Sequence, residues 1–502
     1  MNKIKNLSKS KILAYRQCEK RLWLEVKHPE LLQDSSHTQA SYQVGNQVGE
    51  VAQEIYDPEH QGTLINPHEE GFKSAFLRTK NLMNTRKPIF EAAFSAGGAL
   101  ALADVMLPTN ERGKIKWRMI EVKSSTKVKD YHRDDVAIQA YIAKQAGIDL
   151  EKIELACLDN KWVYPGGNDY QNLLKETDLT KEAFSREEEV KSWIKEAQVI
   201  TRKSKEPAIK TGAHCNQPYS CGFYEHCSKD EPQAEFPIDW LPYIRTKALK
   251  SAIVDNEITD IKNVPQELLN TLQQRVKDHT LSNTIFFDKA GAAEDLSAYK
   301  LPAYFLDFES IQFAVPIWKE TRPYQQIVFQ YSLHKVDSNK KLSHEEFLDI
   351  SGGDPSHTLA KSLVKQCGKT GPIYVYSANF EKTRIKELAN RFPEFNTELL
   401  ALNERIVDLR PIAENRYYHP SQQGSWSIKK VLPAIAPELS YDDLEGVQDG
   451  GMAMGSFLEA IQDDTTKERK TEINHQLLKY CDLDTFALVR IWQFFTENTA
   501  VK

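Results

Sequence analysis

The chain has 502 residues, 40% of them hydrophobic and 27% charged, which predicts two or three soluble globular domains. Its 65 basic and 71 acidic residues give a formal net charge of −6, a balance that neither requires nor excludes a nucleic-acid partner. The sequence has no run of eighteen apolar residues, which argues against a membrane span, and its charged start lacks the apolar core of a signal peptide. The expected compartment is the cytoplasm, where the seven cysteines are not expected to form disulfides.

The first 230 residues predict an α/β module with a mixed sheet. Helices are predicted over residues 8–26, 42–55 and 186–203, with a further helix around Gln139. Strands are predicted near residues 89–94, 100–107, 115–122 and 153–157.

Acidic residues stand out on two of these strands. An apolar run over residues 98–105 is expected to end at Asp104, and after a turn over residues 108–113 the next strand carries Glu121 and Lys123. Strand alternation places Glu121 and Lys123 on one face. Converging carboxylates bind Mg²⁺ or Mn²⁺, and a nearby ammonium group can orient water or stabilise an oxyanion. The alternative is an amphipathic hairpin with solvated charges, which the apolar run before Asp104 disfavours.

The helix that follows adds polar side chains. Asp135 and Gln139 are four residues apart and therefore share one helical face, whereas Tyr141 lies on another face.

The cysteines are unevenly distributed. Cys215, Cys221 and Cys227 lie within thirteen residues, and Cys18 stands alone near the N-terminus. Four thiolates can ligate a [4Fe–4S] cluster, whose ligands are often remote in sequence. Zinc is the alternative, because His214 and His226 lie beside the cysteines, although zinc motifs usually space close ligands by two to four residues.

A helical connector is predicted over residues 231–300, with a short amphipathic helix that starts in the stretch 264–269. It contains no residues that indicate catalytic chemistry.

The C-terminal part carries a second acidic pattern. Residues 303–309 form an apolar strand with Asp307 and Glu309 on one face, and a strand at residues 373–376 leads into Glu381 and a helix. A helix over residues 472–495 places Tyr480 and Asp484 one turn apart. Carboxylates from these elements suit a two-metal site.

The N-terminal motifs resemble those of the PD-(D/E)XK nuclease superfamily, and most closely its RecB-like and CRISPR-associated iron–sulfur exonucleases. The resemblance implies that Asp104, Glu121, Lys123 and Gln139 are catalytic, and that Asp104 and Glu121 hold the metal. It also implies that a [4Fe–4S] cluster ties the two ends of the module together. The ligand set implied for that cluster is Cys18, Cys215, Cys221 and Cys227.

Two features depart from that superfamily. The stretch at residues 45–50 lacks the histidine found on an early helix of many relatives, which leaves Glu50 as a candidate ligand. The Gln and Tyr that relatives space four apart stand here at Gln139 and Tyr141.

The C-terminal motifs resemble DEDD exonucleases of the ribonuclease H-like fold, in the form that ends in Y-x-x-x-D. The resemblance implies that Asp307, Glu309, Glu381 and Asp484 hold the metal ions and that Tyr480 positions water, with Glu381 standing where these exonucleases carry Asp. Asp408 and the Ser427–Lys429 stretch are similar to positions in a family of uncharacterised bacterial proteins that joins both modules. That resemblance covers nearly the whole chain.

Together these patterns predict three parts: an iron–sulfur PD-(D/E)XK nuclease domain over residues 1–230, the connector over residues 231–300, and a DEDD-type exonuclease domain over residues 301–502. The expected function is an Mg²⁺- or Mn²⁺-dependent DNA exonuclease in repair or in defence against foreign DNA, with RNA as a further possible substrate. Two alternatives remain open. In the first, only one of the two nuclease domains is catalytic and its counterpart binds substrate. In the second, the chain is a non-catalytic nucleic-acid-binding scaffold.

Overall fold

The computed structural model describes residues 6–33, 36–111 and 114–497. The chain is a mixed α/β protein with several sheets and many helices, and it divides into two compact units. Unit 1 contains the described residues up to Glu231 and the segment Phe313–Gln325, and unit 2 contains Pro232–Gln312 and the described residues from Gln326 onwards. No helix within the described ranges is long and apolar enough to cross a membrane.

Unit 1 is built on one sheet with helices around it. Its strands are β1 (Leu7–Ser8), β2 (Thr63–Leu64), β3 (Ile89–Ala96), β4 (Ala99–Glu111), β5 (Lys114–Lys123), β6 (Leu150–Leu158) and β7 (Leu174–Asp178). Its helices are α1 (Lys9–Gln17), α2 (Glu19–Lys27), α3 (Ser36–Tyr56), α4 (Pro67–Glu70), α5 (Phe72–Leu82), α6 (Asp130–Gln145), α7 (Thr180–Ser185), α8 (Glu187–Arg202) and α9 (Tyr224–Ser228).

The sheet of unit 1 is mixed, as predicted. Its order is β2-β3-β4-β5-β6-β7, and β1 pairs with the start of β4. The β3–β4 and β4–β5 pairs are antiparallel, whereas β5 and β6 run parallel. Helix α6 packs against β3, β4 and β6 and is buried from Asp135 to Ala143. This burial fixes the helix that carries Asp135 and Gln139.

Two predictions for unit 1 were wrong in detail. The single helix expected over residues 8–26 is two helices, because the backbone at Cys18 is extended (φ −164°, ψ 126°) and ends α1. The turn expected from Pro108 is strand as far as Glu111, so Asp104 lies in the middle of β4 and not at its end. Strand β3 pairs with β4 only as far as Met106, so β4 has an open edge beyond that residue. Pro108, which has no backbone N–H to donate, is tolerated at such an edge. Residues 112–113 of that predicted turn lie outside the described ranges.

Unit 2 is built on a second mixed sheet. Its strands are β8 (Phe286–Phe287), β9 (Ala303–Ile311), β10 (Ile327–Val336), β11 (Leu342–Leu348), β12 (Ile373–Val375), β13 (Ile406–Asp408) and β14 (Tyr417–Tyr418). Its helices are α10 (Lys247–Asp255), α11 (Thr271–Ser282), α12 (Lys289–Leu296), α13 (Ser356–Gln366), α14 (Asn379–Arg391), α15 (Asn396–Glu404), α16 (Arg410–Arg416), α17 (Ile428–Ile435), α18 (Gly450–Ala460) and α19 (Lys467–Thr496).

The main sheet of unit 2 has the order β11-β10-β9-β12-β13. Strands β9, β10 and β11 pair antiparallel, and β12 and β13 then continue the sheet parallel to β9. The 30-residue helix α19 packs along β9 and β10, so its buried face meets the strand that carries Asp307. Strand β8 forms a small ribbon with β14.

The start predicted for a short amphipathic helix, within residues 264–269, was wrong. The chain forms two 3₁₀ turns there, Ile261–Asn263 and Gln266–Leu268. The extended backbone at Pro265 separates the two turns and prevents them from joining. The α-helix begins only at Thr271, after Asn270 and Gln273 form a capping box.

Candidate metal centres

The acidic cleft of unit 2 brings together three carboxylates that the sequence predicted. Asp307 and Glu309 share one face of β9, and Asp484 lies on the buried face of α19. One oxygen from each of the three lies within 4.8 Å of the others. The grouping depends on α19 packing along β9, which places the C-terminal Asp484 against the first strand of the main sheet.

Burial raises the pKa of all three carboxylates, and neighbouring carboxylates add to the rise for Asp307 and Glu309. Burial raises the pKa of Asp307 well above its usual range, and the charges of Asp484, Glu309 and Glu381 raise it further. Burial and then the charge of Asp484 raise the pKa of Glu309 to about 8, against the opposing effect of Lys429. Burial also raises the pKa of Asp484 to about 6. The cleft therefore carries more negative charge than its own side chains neutralise.

Two tyrosines flank Asp484. The Tyr441 hydroxyl donates a hydrogen bond of 2.6 Å to Asp484 Oδ1. Tyr480, predicted from the sequence, is buried one helical turn before Asp484, with its ring centroid 6.2 Å from that of Tyr441. Lys429 Nζ lies 5.3 Å from the centre of the Tyr441 ring and 5.6 Å from that of Tyr480. Sequence reasoning missed Tyr441, which lies in a short 3₁₀ turn without a motif to mark it.

Glu381 lines the same cleft but stands apart from the group of three. It lies in the first turn of α14, and its Oε2 is buried without a hydrogen-bond partner. Burial raises the pKa of Glu381 to about 8, and the nearby charge of Asp408 adds to the rise. A buried carboxylate oxygen without a partner is costly, which makes Glu381 a candidate ligand for a cation in the cleft.

Asp408 supports the turn that presents Glu381. Its Oδ1 and Oδ2 accept hydrogen bonds of 2.9 Å from the backbone N–H groups of Ser377 and Ala378, between β12 and α14. Oδ1 also accepts from the Arg410 N–H at 3.0 Å. Ser377 adopts a left-handed φ of +72°, a conformation that costs free energy in a residue with a side chain. Asp408 therefore holds a strained turn in place.

Unit 1 contains a second polar site, on β5 and α6. Gln139 Nε2 donates to Glu121 Oε2 and lies 3.4 Å from Asp135 Oδ1. Lys123 Nζ contacts Glu121 Oε1 and lies 2.6 Å from Asp135 Oδ2. Tyr141 lies in the hydrophobic core, as its different helical face predicts. The structure thus brings Glu121, Lys123 and Gln139 together and adds Asp135.

Lys9, at the start of α1, completes this group. Its Nζ lies 2.8 Å from Glu121 Oε1 and 3.4 Å from Asp135 Oδ1. Although burial alone would raise the pKa of Asp135, Lys123 and Lys9 hold it far below its usual range. Burial raises the pKa of Glu121 to about 7, and the charge of Asp104 adds to that rise. Sequence reasoning missed Lys9, because it is more than one hundred residues from its partners.

The Asp104 side chain, on β4, is hydrogen-bonded to the backbone of β5. Its Oδ2 accepts a 2.7 Å hydrogen bond from the Val122 N–H, and burial raises its pKa, with Lys9 opposing and Glu91 adding to the rise. Glu91, which sequence reasoning missed, has a left-handed φ of +54° within β3. A glutamate inside an otherwise apolar strand was the available signal. Glu50 is exposed on α3.

The four predicted cysteines line one pocket in unit 1. Cys18 enters it between α1 and α2, and Cys215, Cys221 and Cys227 enter from the segment after α8. The Cys221 N–H donates to the Cys215 carbonyl at 2.8 Å. Burial raises the pKa of Cys221, Arg21 opposes the rise, and the thiols of Cys215 and Cys18 add to it. Cys157, Cys367 and Cys481 are buried elsewhere and do not line the pocket.

The two histidines beside the cysteines differ in position. His214 lines the pocket, whereas His226 does not and lies 3.3 Å from Glu206 Oε2. Among the described residues, sets of three or more donor atoms within 4.8 Å of one another do not include these cysteines.

The chain is similar in sequence to a domain of unknown function and to uncharacterized proteins. A family model described as a domain of unknown function, DUF2779, matches residues 304–427, a range that includes Asp307, Glu309 and Glu381 but ends before Asp484. The chain is 28% identical over 218 residues to the uncharacterized protein MG366 of Mycoplasma genitalium, covering 39% of this chain and 32% of that protein. It is 30% identical over 213 residues to the MG366 homolog of Mycoplasma pneumoniae, covering 38% and 32%.

A third relative is the uncharacterized protein UU173 of Ureaplasma parvum, 24% identical over 271 residues, which are 50% of this chain and 39% of that protein. The chain thus spans about a third of the length of the curated relatives it matches. It is similar to a DUF2779 domain over residues 304–427 and to mycoplasmal proteins named only as uncharacterized.

Proposed function

We propose that the protein is a metal-dependent nuclease and that the acidic cleft of unit 2 is its main phosphodiesterase site. The observation that carries this proposal is the grouping of Asp307, Glu309 and Asp484, whose oxygens lie within 4.8 Å of one another. Such a set of oxygen donors suits Mg²⁺ or Mn²⁺. The neighbours that most perturb the pKa of Asp307 are other carboxylates, as expected of a site completed by a cation.

The strand order supports the finer folds that the motifs imply. In unit 2, three antiparallel strands followed by two parallel ones, with Asp307 on the central β9, are compatible with a ribonuclease H-like exonuclease of the DEDD type. In unit 1, Asp104 on β4, Glu121 on the adjacent β5 and Gln139 on α6 are compatible with a PD-(D/E)XK fold.

The residues of the unit 2 cleft fit a divalent cation. Asp307, Glu309 and Asp484 would hold it, and Glu381 Oε2, buried without a partner, would gain one. When bound, Mg²⁺ or Mn²⁺ activates a water nucleophile and neutralises charge that develops on phosphate. Tyr441 keeps Asp484 in place through its hydrogen bond, and the Lys429 ammonium group is placed to contact a substrate phosphate.

The unit 1 site is a second candidate with a different charge balance. Lys9 and Lys123 already contact Glu121 and Asp135, so a cation at Glu121 has to displace an ammonium group. This balance favours the alternative in which unit 1 binds nucleic acid and unit 2 hydrolyses it. The resemblance favours DNA over RNA as substrate, in repair or in defence against foreign DNA.

We further propose a [4Fe–4S] cluster at the four cysteines. A single zinc ion with four Zn–S bonds of about 2.3 Å holds its thiolates about 3.8 Å apart. A cluster accepts each thiolate on a different iron and so accommodates wider spacing. The lining of one pocket by all four cysteines supports such a cluster, which would join the α1–α2 junction to the segment after α8.

The test is cleavage of end-labelled single- and double-stranded oligonucleotides by the full chain with Mg²⁺ or Mn²⁺. We expect Asp307→Ala and Asp484→Asn to lower the cleavage rate at least 100-fold, since each removes a candidate ligand. Asp464→Asn is the matched control, because Asp464 is exposed in the same unit. Wild-type activity in both cleft variants would refute the assignment, and an inactive wild-type protein on DNA and RNA would favour the scaffold alternative.

A second comparison separates the two sites. Glu121→Gln is measured for cleavage and for oligonucleotide affinity, with Glu151→Gln, an exposed position of unit 1, as its control. If unit 1 only binds substrate, Glu121→Gln changes affinity and KM while kcat stays near wild type. Cleavage that persists in Asp484→Asn and disappears on adding Glu121→Gln would assign catalysis to unit 1 instead.

A further inference from the structure

Two histidines and an aspartate of unit 2 meet outside the acidic cleft. His334 on β10 and His344 on β11 are directly opposed in the antiparallel ladder, and their rings stack with centroids 4.5 Å apart. Asp482 on α19 lies beside them, with its Oδ1 3.6 Å from His334 Nε2 and 3.4 Å from His344 Nε2. One donor atom of each residue lies within 4.8 Å of the other two.

This group is distinct from the acidic cleft. Asp482 and Asp484 are two residues apart on α19, so their side chains leave the helix about 200° apart. Asp484 is buried against Tyr441, whereas the Asp482 side chain retains 46% of its exposure. His344 retains 27%, so the group is open to solvent on one side. An ion and its water ligands have a path to it.

The buried histidine is held in a fixed orientation. His334 Nδ1 lies 2.9 Å from Thr485 Oγ1, which in turn lies 2.6 Å from Ser332 Oγ. With Nδ1 engaged in this way, Nε2 faces Asp482. Metal-binding histidines are commonly fixed by such a hydrogen bond from the ring nitrogen that does not bind the ion.

Burial disfavours an ion pair between His334 and Asp482. Burial lowers the pKa of His334 to about 3, and the neighbouring His344 adds to the effect. This lowering favours the neutral form of the His334 ring over an imidazolium–carboxylate pair with Asp482. A neutral imidazole keeps the lone pair that a metal ion needs.

We propose that His334, His344 and Asp482 bind a first-row transition ion of the Zn²⁺ type. Two imidazole nitrogens and one carboxylate match the donors that Zn²⁺ accepts, and they disfavour Mg²⁺, which takes oxygen ligands. His344 Nε2 lies 2.7 Å from Ser332 Oγ, and ion binding replaces that hydrogen bond. The bound ion ties the β10–β11 hairpin to α19, the helix that also carries Asp484.

The test measures zinc binding by the full chain and does not depend on cleavage. Proteins are dialysed against Zn²⁺ with a large excess of Mg²⁺, which occupies the all-oxygen site, and bound zinc per chain is measured by elemental analysis. His344→Asn and Asp482→Ala change partly exposed side chains and are expected to fold. His357→Asn is the matched control, since His357 also contacts a carboxylate, Glu394, but lies on α13.

We expect the wild type and His357→Asn to bind one more zinc per chain than His344→Asn or Asp482→Ala. The cysteine pocket is the same in all four proteins, so zinc bound there cancels in the comparison. Zinc should also raise the Tm of the wild type and the control by more than that of the two site variants. Equal zinc content and equal Tm shifts in all four proteins would overturn the proposal.

Discussion

Replacing Glu381 by glutamine tests whether the unit 2 cleft is short of positive charge. Glu381 is buried, its Oε2 has no hydrogen-bond partner, and burial raises its pKa from 4.5 to about 8. At about 1.4 kcal/mol for each tenfold change in proton affinity, this rise corresponds to about 5 kcal/mol. That value is an upper limit, because the folded protein can relax around the charge.

The sign of the pH dependence follows from proton binding. Without metal, the folded protein keeps the Glu381 proton up to about pH 8, whereas the unfolded chain loses it near the ordinary value of 4.5. Between these values the folded state binds more protons, so the free energy of unfolding falls as the pH rises. Glutamine cannot ionise and removes this contribution. Glu381→Gln should therefore be more stable than wild type above pH 8, by up to about 5 kcal/mol.

The assay is urea unfolding of metal-depleted protein at pH 5, 7 and 9, with and without added Mg²⁺. Glu404→Gln is the matched control, because Glu404 is exposed in unit 2. We expect the advantage of Glu381→Gln to grow from pH 5 to pH 9 and to shrink when Mg²⁺ is added, since a bound cation stabilises only the carboxylate. A variant no more stable than wild type at pH 9 without metal would refute this reasoning.

Three further predictions concern the cysteine pocket and other residues of the unit 2 cleft. Anaerobically purified protein should be brown, and Cys18→Ser should lose iron while Cys367→Ser keeps it; a colourless protein with stoichiometric zinc would contradict the cluster. Asp408→Ala should lower the free energy of unfolding by about 1–3 kcal/mol, because part-buried backbone donors lose their acceptor, and should lower cleavage; wild-type values in both assays would contradict its role in the turn. Tyr480→Phe should reduce kcat but leave the Mg²⁺ affinity measured by titration unchanged; a loss of Mg²⁺ affinity would show that Tyr480 supports the ion site.

Local patterns were sufficient to predict most of the elements. The apolar runs near residues 89–94 and 153–157 are strands β3 and β6, and the amphipathic segment at residues 186–203 is α8. These predictions succeeded because burial and alternation within one segment decide the outcome. The predictions failed where a single residue determines the local structure. The extended backbone at Cys18 divides the predicted helix in two. Pro108 does not end its strand, because it lies at an open edge where no N–H donor is needed.

The candidate sites were predicted in part, for a related reason. Asp307 and Glu309 share a strand face, and Glu121 lies two residues from Lys123, so alternation could group them. Lys9 and Tyr441 are remote in sequence from the residues that they contact. The packing of α1 and of the turn at Tyr441–Asp443 brings them to their sites. No motif around either residue marks it.

The two acidic sites differ in how their charge is balanced, and this difference bears on which one is the better candidate for a catalytic site. Lys9 and Lys123 contact both Glu121 and Asp135. The two lysines hold the pKa of Asp135 far below its usual range, although burial still raises the pKa of Glu121. In unit 2, one ammonium group, that of Lys429, acts on Glu309 and Asp484, and burial still raises the pKa of both. Deprotonating such a cluster requires added positive charge, which a divalent cation supplies as it binds. The unit 2 cleft, where Lys429 opposes the carboxylates, is therefore the better candidate for a cation-dependent site, and the two lysines of unit 1 favour binding of a polyanion there.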